Sequence, residues 1–104
     1  MRATGWSNGQ PRRSGAGFGV RISRDDRDRH FHRAWDHVLI DLGSEEIDVK
    51  LSKSFWGSCT ELRSAALGRW LMAQGLAPWG RNEPPKLHVN PVGENRFRLR
   101  LHPD

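Results

Sequence analysis

His37-Val38-Leu39-Ile40-Asp41-Leu42 and Ile47-Asp48-Val49-Lys50-Leu51, joined through Gly43-Ser44-Glu45-Glu46, decide the fold. Val38, Ile40 and Leu42 recur at every second position in the first segment, as Ile47, Val49 and Leu51 do in the second. Strand side chains alternate between faces, so each segment reads as a half-buried strand. The Gly-Ser-Glu connection reads as a hairpin turn. His37, Asp41, Asp48 and Lys50 then point away from the aliphatic face.

Downstream, Ser52 caps a short helical segment through Phe55 and Trp56. Ser64 opens a clearer helix, with Ala66, Leu67, Trp70, Leu71 and Ala73 at helical spacing and Gly75 as a left-handed stop. Pro78, Gly80, Pro84 and Pro85 make the next stretch a loop. A second hairpin ends the chain: Leu87 and Val89, a turn over Pro91–Asn95, then Phe97, Leu99 and Leu101. Upstream, Ser23 with Asp25, Asp26 and Asp28 after it marks a helix start, with the helix running to about His32, and Phe18–Ile22 reads as a short strand. Met1–Gly17 is rich in Gly, Ser, Asn, Pro and Arg, with Trp6 its only large apolar residue.

These elements imply an α+β fold: a small mixed or antiparallel sheet, or a partly open barrel, of about five strands built on two β-hairpins, with two to three short helices. Residues 1–17 are expected as a flexible basic N-terminal arm and residues 18–104 as a single α+β domain. The 104-residue length suits one core, and the five tryptophans can fill it with few residues. The one cysteine, Cys59, cannot form an internal disulfide and leaves too few thiolates for a Cys-rich zinc site. No stretch is long and apolar enough for a signal peptide or membrane span, which implies a cytoplasmic protein with no membrane association. An unpaired edge in so small a sheet leaves room for a homodimer.

The net charge of +5 is concentrated at one end: residues 1–33 hold eight arginines and three acids, whereas the remainder holds nine basic and nine acidic residues. Such asymmetry attracts polyanions, either nucleic acid or an acidic protein partner. Arg12, Arg13, Arg21 and Arg24 are the candidate phosphate contacts near the N-terminus. Arg96, Arg98 and Arg100 share one face of the last strand at a spacing of about 7 Å, which can follow a phosphate backbone. If that strand pairs with Glu46–Leu51, the same arginines instead form ion pairs with Glu46 and Asp48.

Asp41, Asp48 and Lys50 form the candidate catalytic set. Asp48-Val49-Lys50 on a strand beside Asp41 has the local spacing of metal-dependent nucleases, in which two carboxylates hold a divalent ion and the lysine places the attacking water. The bland reading is the ordinary charged outer face of a hairpin. His30, His32 and His37 lack the spacing of a metal set, and Cys59 has no partner histidine placed by sequence; no cofactor or metal site is expected. Gly15-Ala16-Gly17-Phe18-Gly19 precedes a strand instead of following one, so the dinucleotide fingerprint is excluded. Those glycines imply a hinge or a close backbone approach. A helix-turn-helix over Ser52–Gln74 lacks base-reading side chains on its second helix.

The leading expectation is a small non-enzymatic nucleic-acid-binding module using a basic arm and an arginine-bearing strand. A protein-interaction or accessory domain built on the tryptophans and the proline loop is the first alternative, and a metal-dependent nuclease the second.

Overall fold

The computed structural model describes residues 1–102. The chain forms a single seven-stranded sheet with two α-helices and a short 3-10 turn. The strands are β1 (Arg2–Ser7), β2 (Phe18–Arg21), β3 (His37–Asp41), β4 (Glu46–Lys50), β5 (Glu61–Arg63), β6 (Lys86–Gly93) and β7 (Arg96–Leu101), and the helices are α1 (Arg24–His30) and α2 (Ala65–Ala73). The order across the sheet is β4-β3-β7-β6-β1-β2-β5. All neighbours are antiparallel except β3 and β7, which run parallel, so the sheet is mixed.

Both hairpins form on the segments the alternation marks, although the second turn is confined to residues 94–95, Pro91 to Gly93 continuing β6 through a bulge. Val38 faces Val49 and Ile40 faces Ile47 in the first; Val89 faces Leu99 and Leu87 faces Leu101 in the second. The α+β class is as expected, but the sheet has seven strands where about five were expected. The additional strands are β1 and β5. β5 has three residues, Glu-Leu-Arg, with one inward side chain, too short for an alternation to register.

β1 lies where a flexible arm was expected. Arg2–Ser7 sits inside the sheet, between β6 and β2, with Ala3 opposite Leu87 and Gly5 opposite Val20. Its inward positions are small because other groups fill the space over them. A Cβ on Gly5 would come within 2.6 Å of the Pro85 ring and 3.1 Å of Trp79, and Trp79 itself packs on Phe18 at 5.4 Å between ring centroids. A strand supplying backbone and little apolar bulk does not show the usual alternation. Residues 8–17 are likewise held in place: Asn8 N–H donates to the Gly17 carbonyl at 2.9 Å, and Arg69 donates to the Ser14 carbonyl at 2.9 Å. Gly15 and Gly68 pack backbone to backbone, the close-approach reading of these glycines; a Cβ on either would overlap backbone of the facing segment.

The sheet curls until Cα atoms of the edge strands β4 and β5 come within 8 Å of each other, enclosing one apolar core. Val38, Val49, Leu87, Val89, Phe55, Leu67 and Leu71 are fully buried in it. Phe31 joins its parts, stacking on Phe97 at 4.5 Å and packing on Phe55 at 5.1 Å. Ser64 caps α2 by accepting from Leu67 N–H, and Gly75 leaves the helix at φ +73°, as the sequence implies. At the start of α1, Ser23 Oγ accepts from Asp26 N–H. The buried Arg27 of that helix donates to the carbonyls of Phe55 and Gly57, each at 2.8 Å, tying α1 to the 3-10 turn Lys53–Trp56. Because β5 lies between that turn and α2, the two helical segments do not form a helix-turn-helix.

Candidate nucleic-acid interface

The outer face of the sheet carries the side chains left over by the apolar alternation. Strand registers arrange them in rows perpendicular to the strands. Arg100 on β7 faces His88 on β6, which faces Arg2 on β1. In the adjoining row Lys86 faces Thr4, which faces Arg21, which faces Glu61. Neighbouring strands lie about 4.8 Å apart, so Arg100 and Arg2 stand about 10 Å apart across His88. Among the described residues no acid forms an ion pair with Arg2, Lys86 or Arg100.

His102 extends this basic surface. Its N–H donates to the Lys86 carbonyl at 3.1 Å, and its ring lies 4.9 Å from that of His88. The Nδ1 atom of His102 is buried with no hydrogen-bond partner among the described residues. His88 is held below the ordinary imidazole range, first by desolvation and then by the positive charges of the amino terminus, His102 and Arg2. Cations converging on one point, with no acid to offset them, disfavour the charged imidazole.

The other end of the same face is electrostatically matched. Arg96 meets Glu46 at 2.8 Å and Arg98 meets Asp41 at 3.0 Å. Cross-strand pairing was expected if β7 lay against β4; β7 instead lies against β3, and Arg96 reaches over β3 to Glu46. The Asp41 carboxyl is held below the usual carboxylate range, mainly by the Gly43 N–H from which it accepts at 2.8 Å, then by Arg98 and, more weakly, by the charge of Arg100. The arginine stripe therefore divides: Arg96 and Arg98 are paired, and Arg100 belongs to the unmatched row.

Of the remaining expected contacts, Arg21 sits on the outer face but shares the buried Glu61 carboxylate with Arg63, at 3.3 and 2.9 Å. Arg24 is exposed one residue beyond Ser23, which lines a shallow cleft with Arg2 and Arg21. Arg12 and Arg13 are exposed in the 8–17 connection, past the end of β1 opposite to Arg2, and the fold does not gather them with Arg100. Arg2, Lys86, His88 and His102 were missed. Their signal is the register of β1 against β6, which depends on recognising β1 as a strand.

Asp41, Asp48 and Lys50 do share the outer face of the first hairpin, with Asp48 opposite Leu39 and Lys50 opposite His37. Asp41 is engaged by Arg98, and among the described residues no three His, Cys, Asp or Glu side chains gather to hold an ion. His30, His32 and His37 are exposed, and Cys59 is half-buried. Trp70 is buried, and Trp35, Trp56 and Trp79 are half-buried against the core. Trp6, on the outer face, lies across Gly19 with the Arg63 guanidinium 4.6 Å from its ring. Among the described residues no helix is long and apolar enough to cross a membrane. Comparison of the chain with protein-family models, with curated proteins and with solved structures finds no match.

Proposed function

We propose that this protein is a non-enzymatic nucleic-acid-binding module whose contact surface is the outer face of β7, β6 and β1. The observation that carries the reading is the cross-strand row Arg100, His88, Arg2 with Lys86 beside it, a cationic surface whose side chains form no ion pair among the described residues. Each arginine offers a planar set of donors matched to phosphate oxygens, and the lysine adds a point charge. Arg24 extends the surface past Ser23, Arg21 being already engaged by Glu61, while Arg12 and Arg13 act as a remote contact for a longer polymer.

Anisotropy titration of labelled single-stranded RNA, single-stranded DNA and duplex tests the reading. Binding that weakens steeply with salt, with a logarithmic slope of about −0.7 per phosphate contacted on a single strand, is the expected result. An Arg2→Ala/Arg100→Ala variant with an unchanged circular dichroism spectrum binds about ten-fold or more weakly. Salt-insensitive binding, or none at physiological ionic strength, overturns the proposal.

A further inference from the structure

We infer that the cleft beside the cationic row receives the base of one splayed nucleotide, which makes the protein a reader of single strands. The inference rests on the proposed nucleic-acid function. Two adjoining cavities at the rim of the sheet carry it. The larger, of about 690 Å³, is lined by the apolar Leu76, Pro84, Pro85 and Leu101 and by the polar Asn82 and Glu83. The smaller, of about 290 Å³, lies between Arg2, Lys86 and His102. Thr4, Lys86 and His102 line both, so the basic row opens directly into the apolar cleft.

The larger volume falls within the roughly 300–1,000 Å³ of small-molecule sites, and its lining has the usual composition, apolar walls with a few polar groups. Leu101 is 47% exposed although it is a large hydrophobe on a strand, and it borders this cleft. The charges fix the orientation of the occupant. Glu83, which lines only the larger of the two cavities, repels a phosphate from it, while Arg2, which lines only the smaller of the two, and Lys86, which lines both, attract one. The phosphate therefore lies on the row, and the base lies against Leu101 and the prolines with its edge toward Asn82 and Glu83. A carboxylate there accepts from an exocyclic amino group, which favours cytosine over uracil. In a duplex the base stays stacked and paired, and only an unpaired strand can place it in the cleft.

The test compares an intact oligocytidine strand, an abasic strand of equal length and a duplex, all titrated by anisotropy at about 0.15 M salt. The intact strand is expected to bind at least about ten-fold more tightly than either of the others, the order of gain from burying one base against apolar side chains. Leu101→Asp brings the intact strand down to the abasic level, whereas Arg2→Ala weakens both strands alike. Glu83→Gln, at an exposed loop position, reduces the preference for oligocytidine over oligouridine and gives a second reading if Leu101→Asp fails to fold. Equal, salt-sensitive binding of intact and abasic strands overturns the base cleft and leaves the phosphate-binding surface standing. Intact-strand binding that survives both Leu101→Asp and Glu83→Gln unchanged also overturns it. Failure of every strand to bind overturns both.

Discussion

The two ends of the outer sheet face are made from the same residue types to opposite effect. Where β7 begins, Arg96 and Arg98 extend toward Glu46 and Asp41, and cation and anion cancel. Where β7 ends, Arg100 has His88 and then Arg2 beside it, and none of the three forms an ion pair among the described residues, Asp41 reaching Arg100 only through the longer-range attraction that helps to lower its own carboxyl. One strand contributes to both ends. The number of arginines on a strand thus says little about binding; the neighbouring strand decides whether each is already occupied. Surface ion pairs of this kind add little stability, so the matched end is best understood as an inert face and the unmatched end as the one with unused interaction capacity.

The largest effect is expected from breaking the unmatched end. Arg2→Ala/Arg100→Ala should weaken single-strand binding by about ten-fold or more and reduce the salt slope by about 1.4, two contacts' worth, in anisotropy titrations across a salt series. Next comes conversion of the matched end into the unmatched kind. Asp41→Asn releases Arg98 next to Arg100 and should tighten binding by about three-fold, in the direction that a lost acidic neighbour demands.

Acidification sharpens the contrast through titration instead of mutation. His88 is held below the ordinary imidazole range, so it is disposed to be neutral at neutral pH and gains its proton only on acidification. A phosphate beside it favours the charged form. Affinity should therefore rise about three-fold between pH 8 and pH 6, and a His88→Ala variant should lose that rise while keeping its salt dependence. The groups facing His88 are Arg100 on β7, Arg2 and the amino terminus on the β1 side, and His102; none supplies a compensating negative charge. Asp41 behaves oppositely. Its value is depressed in the folded protein, so its stabilising contribution is complete at neutral pH and is lost only as the pH falls through that depressed value. The smallest effect belongs to the matched arginines: Arg96→Ala or Arg98→Ala should change affinity less than about two-fold, and a larger loss from either would erase the distinction between the two ends.

The sequence was legible where side-chain pattern and backbone role coincide. The β3–β4 and β6–β7 hairpins, the Ser23 and Ser64 caps and the Gly75 stop each carry their signal within a few residues. β1 was illegible because its structural role is to contribute backbone while Trp79 and Pro85, more than seventy residues away in the chain, supply the apolar bulk over Gly5. That one omission hid much of the site. Arg100 was legible as part of a stripe, but its separation from Arg96 and Arg98 follows from β7 lying parallel to β3, a pairing between segments far apart in sequence. Lys86, His88 and His102 have no motif spacing, and only the register against β1 gives them a common purpose.

The contact between Gly15 and Gly68 limits how this chain can change. An enlarged side chain in a core is often accommodated by shrinking its neighbour, but here the atoms in the way of a methyl at Gly68 are backbone atoms of Gly15, and those in the way at Gly15 include the Ala65 carbonyl and the Arg69 amide nitrogen. No replacement of a facing side chain can open that space. The two positions are therefore barred from substitution independently and cannot rescue each other, and the 8–17 connection can change its tip freely only while this crossing point stays as it is.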